Sequence, residues 1–280
     1  MLLTSRSDRP RGSCLCPHHV RKGRRWCAFR LPGIKRTGEA ATQQSEAVLN
    51  IRKTRTGEVL EVHPHYLMYF VDETGHEDFA DPNFPVFGMG GCGLLAAALE
   101  QNLRGPWRKM KDRHFSGADA PMHASDLQAP SHEQLTALNE FFEQQTFGRF
   151  AVTMTHKTEL PSDIKPIQVM PGLLRRRWVE LTPRFVPLPI EVGFIHEASE
   201  RGDELLEKYF GPSIVTIDGK QVKVHHGIMP KGDEALEVAD FVVQAAGGQA
   251  RHGLKPGRPV RRDFEAVFRA KPLWSSFFAC

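Results

Sequence analysis

Three carboxylates in this 280-residue chain stand where an ordinary structural role is hard to give them. Asp72 closes the apolar run YLMYFV, and an ionised carboxylate at the end of a buried strand costs on the order of several kcal/mol unless it finds a partner. Glu197 follows a second apolar stretch, EVGFI, just ahead of a helix cap at Ser199. Asp240 lies in EALEVADFVVQAAGG, where Leu236, Asp240, Val243 and Gly247 share one helical face, so an acid interrupts a packing seam in a position that intrinsically disfavours Asp. Two strand-end acids and one helix-seam acid are the parts of a site for two Mg²⁺ or Mn²⁺ ions, because hard oxygen donors suit those cations. Such a pair of ions activates a water and stabilises the leaving oxygen of a phosphodiester. Each acid also has a plainer use: Asp72 as the cap of the following turn, Glu197 in a first helical turn, where the macrodipole favours it, and Asp240 as an incidental surface acid. His123 and His196, near these acids in sequence, could serve as ligands or proton shuttles.

The elements that would carry these groups can be read from periodicity. The run ending at Asp72 predicts a central strand buried on both faces, beginning near His65. Val86 to Met89 predicts a second strand, GMGGCG a glycine-rich bend, and Leu94, Leu95, Ala98, Leu99 and Leu103 a helix. Ser131 to about Thr146 opens on a capping box, Ser131 with Gln134, and sets Leu135, Leu138, Phe141 and Phe142 on one stripe. Phe150 to His156 reads as a strand, Gly172 to about Glu180 as a helix carrying Arg175, Arg176 and Arg177, Ile190 to Ile195 as a strand, and Ser199 to Phe210 as a polar helix. Asp218 and Gly219 between two β-prone runs mark a hairpin. A helix from Glu234 to about His252 closes the pattern, followed by an amphipathic tail with Phe264, Val267 and Phe268. His225 and His226 read as a solvated loop after the hairpin.

Charge divides the chain. Residues 1–58 hold 13 Lys or Arg against 4 Asp or Glu, a net of +9 that leaves −5 on the remainder. That first segment is rich in Arg, Gly, Pro and Ser, poor in aliphatics and aperiodic, which predicts a disordered basic segment able to attract phosphate without reading sequence. Its Cys14, Cys16, His18, His19 and Cys27 match no common zinc spacing. The 5 cysteines are odd in number and irregularly placed, which argues against a disulfide framework. With no long apolar run and no signal sequence, the expectation is a soluble, cytoplasmic protein that does not enter the membrane. The glycine-rich GMGGCG lacks the Lys-Ser/Thr ending of a phosphate loop, and neither Ser125, Ser199 nor Cys92 sits in the setting of a catalytic nucleophile.

In order along the chain these motifs resemble the bacterial and phage domain of unknown function 3800 family, whose members look like ribonuclease H relatives. The family's Asp-Glu-Ser-Gly strand end is matched by Asp72, Glu73, Thr74 and Gly75. Its His-Ala-Ser motif is matched by His123, Ala124 and Ser125, its later strand-end acid by Glu197, and its Ala-Asp on the last helix by Ala239 and Asp240. The resemblance covers about residues 65 to 255. Three departures stand out: Thr74 replaces the family's Ser, Pro121 occupies the place of an acid two before the motif His, and Glu237 replaces a Gln three before the final Asp. Asp126 or Glu73 could compensate for the missing fourth carboxylate.

The resemblance implies an α/β, ribonuclease H-like domain over residues 59–280, with a central mixed sheet flanked by helices and a C-terminal helical extension. The function expected of it is metal-dependent hydrolysis of nucleic acid, DNA or RNA, by two Mg²⁺ or Mn²⁺ ions. Asp72, Glu197 and Asp240 would be catalytic and, with Glu73, metal-ligating, while His123 positions water or shuttles a proton. Two other readings fit the same residues: a hydrolase of small phosphorylated metabolites, suited to the acidic body, and a non-catalytic interaction protein on the same fold.

Overall fold

The computed structural model describes residues 49–53, 56–127, 129–184, 191–197, 213–254, 266–267 and 275–279, all within one compact unit, Gln44–Cys280. In chain order the strands are β1 (Leu49–Lys53), β2 (Val59–Val62), β3 (Leu67–Gly75), β4 (Val86–Leu95), β5 (Gly148–Thr155), β6 (Glu191–Glu197), β7 (Ile214–Ile217), β8 (Lys220–Met229) and β9 (Ser275–Ala279). Among the described residues the longer α-helices are α1 (Gly105–His114), α2 (His132–Gln144), α3 (Pro166–Leu181) and α4 (Glu234–Leu254). The described strands form one mixed sheet in the order β2-β1-β8-β6-β3-β4-β5-β9, with β7 paired to β8. The α/β class and the mixed central sheet expected from sequence are present.

The centre of the sheet sets the frame of the site. β3, buried from Leu67 to Val71, pairs antiparallel with β4 and parallel with β6, and β6 in turn pairs parallel with β8. Side chains alternate across the sheet. Met68 and Phe70 join a core with Trp107 of α1, Phe141 of α2 and Phe241 of α4, while Leu67, Tyr69 and Val71 face a second core built on Met170, Leu174 and Trp178 of α3. Helices therefore cover both faces. No helix among the described residues is long and apolar enough to cross a membrane.

The capping box closes as predicted, with Gln134 N–H donating to Ser131 Oγ at 3.2 Å and Ser131 N–H to Gln134 Oε1 at 2.9 Å. Ser131→Ala is expected to cost about 1 kcal/mol, read as a lower urea midpoint at unchanged m-value. The hairpin also forms, with positive φ at both Asp218 (49°) and Gly219 (77°), as a type I′ turn requires.

Several boundaries move. β1 brings regular structure forward to Leu49, inside the segment read as disordered up to residue 58, where Leu49 and Ile51 alternate with polar residues against β2 and the end of β8. The glycine run is strand, not bend: β4 passes through Gly88, Gly90, Gly91 and Gly93 and takes in Leu94 and Leu95. The predicted helix there gives way to a 3-10 turn, Ala96–Ala98, and a π turn, Glu100–Arg104, that leads into α1. α3 starts six residues earlier than predicted, at Pro166, whose fixed φ suits the first helical position. β3 continues past Asp72 to Gly75. In place of a purely helical C-terminal extension, β9 adds a strand parallel to β5, and Val267 is buried in the α1–α2–α4 core. The predicted helix 199–210, Phe264, Phe268 and the cysteines and histidines of residues 14–27 lie outside the described residues.

Candidate functional site

Register brings the two strand acids side by side. Along the parallel β3–β6 pair the register runs Phe70 with Ile195 and then Val71 with His196, so Asp72 and Glu197 come next on adjacent strands. Phe70 and Ile195 belong to the same core, which places Asp72 and Glu197 on the α4 face two residues further along. α4 runs over this face in the direction of β3. Cys92 Sγ contacts the Ala235 carbonyl at 3.5 Å, Thr74 donates its hydroxyl to Gln244 Oε1, and Gly247 sits against Thr74 and Phe84. Asp240, one turn before Gln244, is thereby directed at the Asp72 level of the sheet.

The loop before α2 completes the cluster. Asp240 Oδ2 accepts the Ala124 N–H at 2.8 Å and lies 3.6 Å from His123 Nδ1, with the two side chains 15% and 33% exposed. Both are within reach of solvent, as a working group must be. Asp72 Oδ1 accepts the N–H of Glu73 at 2.8 Å.

The acids sense one another. Burial, followed by the negative charge of Asp240 and smaller repulsions from Glu73 and Glu197, pushes the Asp72 carboxyl up to about 8, against the pull of the Glu73 N–H. Asp240 is also raised, chiefly by burial and also by Asp126, while the Ala124 N–H and His123 oppose the shift. A carboxyl that holds its proton near neutrality, as Asp72 does, marks a candidate site for a charged partner. As they stand, no three His, Cys, Asp or Glu side chains among the described residues form a group that would hold a metal ion.

Not every predicted member arrives. Glu73 is exposed and, by alternation, shares the opposite face with Leu67, Tyr69 and Val71, so it contributes a backbone N–H and a charge rather than a ligand beside Asp240. His196 alternates with Ile195 and Glu197 and points the other way. Arg175, Arg176 and Arg177 belong to α3, on the far layer, where Arg177 pairs with Glu180 at 3.0 Å. His225 and His226 lie inside β8, not in a loop. His225 Nε2 meets Glu191 Oε2 at 2.9 Å, and burial lowers His226 to about 4. Asp126, in a 3-10 turn after His123, also reaches Asp240 electrostatically.

Two polar pairs escaped the sequence reading. Thr74 with Gln244 ties β3 to α4 beside Asp72, and a family-like Ser at 74 would offer the same hydroxyl. Glu237, noted only as a departure, is 3% exposed and pairs with Lys111, 2% exposed, at 2.9 Å. Lys111 sits in the basic stretch RKMKDR, which by pattern is a solvated face, so nothing local marked it.

No family model, curated protein or solved structure matches this chain. The resemblance to the domain of unknown function 3800 family rests on its ordered motifs alone.

Proposed function

We propose that this chain is a metal-dependent phosphodiesterase, with nucleic acid as its substrate, built on a ribonuclease H-like fold. The observation that carries the reading is the placement of Asp72, Glu197 and Asp240 from β3, β6 and α4 on one face, where burial first, and then the charges of Asp240 and, more weakly, Glu197, push the Asp72 carboxyl up to about 8. The donor set fits a hard divalent cation: half-buried carboxylates in mutual repulsion, with Asp126 nearby. Binding has to draw them closer than they stand. Asp72, Glu197 and Asp240 would hold Mg²⁺ or Mn²⁺, and the ions would supply an activated water and charge stabilisation at the scissile phosphate. His123, 3.6 Å from Asp240 through its Nδ1, would orient that water or take its proton. An antiparallel β3–β4–β5 meander continued by parallel β6 and β8, with helices on both faces, supports the ribonuclease H-like reading.

The test is Mn²⁺ titration followed by heat of binding, together with cleavage of end-labelled DNA and RNA oligonucleotides, for the wild type and Asp72→Asn. Asp72→Asn is expected to lose Mn²⁺ binding and to slow cleavage by about a hundredfold to a thousandfold, the scale of removing one preorganised electrostatic contact. Full metal-dependent cleavage by Asp72→Asn would overturn the assignment. Cleavage of nucleotides with every oligonucleotide untouched would move the substrate to small phosphorylated metabolites.

A further inference from the structure

Beside the acids lies a second, fully enclosed polar cluster. Glu237 of α4 accepts from Lys111 Nζ at 2.9 and 3.0 Å, from Trp107 Nε1 at 2.6 Å and from the Met122 N–H at 3.1 Å. Lys111 Nζ also donates to the Ala120 carbonyl at 2.8 Å. Three residues further along α4, on the same side of the helix, Asp240 accepts the Ala124 N–H. The segment before the 3-10 turn is thus fastened to α4 at alternate residues: Ala120 through Lys111, Met122 through Glu237, and Ala124 through Asp240. Met122 and Ala124 are buried, while His123 between them stays partly exposed beside Asp240.

A buried ion pair is weak evidence for stability, since hydrophobic residues of similar volume often serve as well. What an apolar pair cannot do is hold a backbone N–H in one place. We propose that Glu237, neutralised by Lys111, is a positioning residue: it anchors the Met122 N–H and so sets the Ala124 and His123 backbone against Asp240. Where the resembling family has Gln, this chain has an acid, and Lys111 supplies the charge that the acid demands.

The proposal rests on the metal-site reading for one of its two readouts only. Two double variants remove the same charges: Lys111→Met/Glu237→Gln keeps an acceptor for Met122, and Lys111→Met/Glu237→Leu does not. Amide exchange by NMR is measured on the metal-free proteins, and Mn²⁺ affinity by calorimetry. In the wild type and the Gln variant the Met122 and Ala124 amides are expected to exchange slowly, and Mn²⁺ affinity to agree within about threefold. In the Leu variant both amides exchange fast and Mn²⁺ affinity falls by about tenfold or more, as when supporting contacts of a metal site are removed. Leu138→Ala, a deletion in α2 within the same apolar core that removes no hydrogen-bond partner of the segment, serves as the destabilised control and keeps the slow Ala124 amide.

Fast exchange at Met122 and Ala124 in the wild type, or equal behaviour of the two doubles, would overturn the anchor. Should the Leu variant fail to fold, the Gln variant decides: a folded protein with a fast Ala124 amide sinks the proposal, and a slow one upholds it. A wild type that keeps the slow amides yet binds no Mn²⁺ defeats the metal reading and leaves the anchor standing.

Discussion

In the absence of metal, Asp72→Asn should make this protein more stable at pH 8 and leave it unchanged near pH 4. The Asp72 carboxyl is pushed from 3.8 to about 8, so between those values the folded state holds a proton that the unfolded chain has released. Stability changes with pH as the difference in bound protons, unfolded minus folded. That difference is negative here. The contribution is therefore fully present below the unfolded value near 4 and is lost as the pH rises through about 8, at up to about 1.4 kcal/mol per pH unit. Asn keeps the shape and hydrogen-bonding capacity of the protonated acid without a proton to lose. The gap between variant and wild type should open from zero to on the order of several kcal/mol across this window, measured by urea unfolding in chelator at pH 4.5, 6 and 8. Asp240 shifts in the same direction, so Asp240→Asn should add to the effect.

With saturating Mn²⁺ the order reverses at pH 8, because a cation binds the deprotonated carboxylates and stabilises only the protein that can ligate it. The wild type gains a metal-dependent rise in Tm and the Asn variant does not. A surface Asp with no part in a cation site would show neither sign. A variant less stable than the wild type at pH 8 in chelator would show that Asp72 is ionised and held by hydrogen bonds, contrary to the repulsion described above.

The acids were legible because each broke a pattern. Asp72 ends an apolar run and Asp240 interrupts a helical seam, and neither reading needs a partner to be noticed. Their convergence was not legible, since it depends on the parallel register of β3 with β6 and on the direction in which α4 crosses β3. Glu73 shows the limit from the other side: adjacency to Asp72 in sequence puts it on the opposite face of the strand, as period 2 demands once β3 is known to extend to Gly75. Strands β1, next to the margin of the sheet, and β9, at its other edge, are short, so they carry too little apolar alternation to stand out. His225 and His226 looked solvated because a His pair is polar on paper, yet His226 is half-buried with its ring stacked on Phe194 at 6.0 Å. Lys111 could not be found at all without its partner 126 residues away.

The glycine-rich β4 misled for a physical reason that also makes it the most sensitive part of the scaffold. Composition alone reads GMGGCG as a bend, because glycine weakens strands. In the fold these glycines let backbones approach where a side chain would not fit. A Cβ on Gly91 would lie 1.8 Å from the Phe70 carbonyl oxygen, 2.9 Å from its carbon and 3.0 Å from Ala239 Cβ. Two of those atoms are backbone of β3, two residues before Asp72, and the third precedes Asp240, so relief has to come from the two elements that carry the site. Gly91→Ala should cost about 3 kcal/mol, at the upper end of overpacking penalties, and weaken Mn²⁺ binding in whatever fraction still folds. Gly248 of α4 is the contrast, since a Cβ there meets nothing within 4 Å, and Gly248→Ala should stabilise by about 0.5–1 kcal/mol through helix propensity and a less flexible unfolded chain. Paired denaturation curves in chelator should therefore move in opposite directions for the same one-methyl change. A Gly91→Ala protein as stable as the wild type would mean that β3 and α4 can part without cost, so that close packing at Gly91 does not set the separation of Asp72 and Asp240.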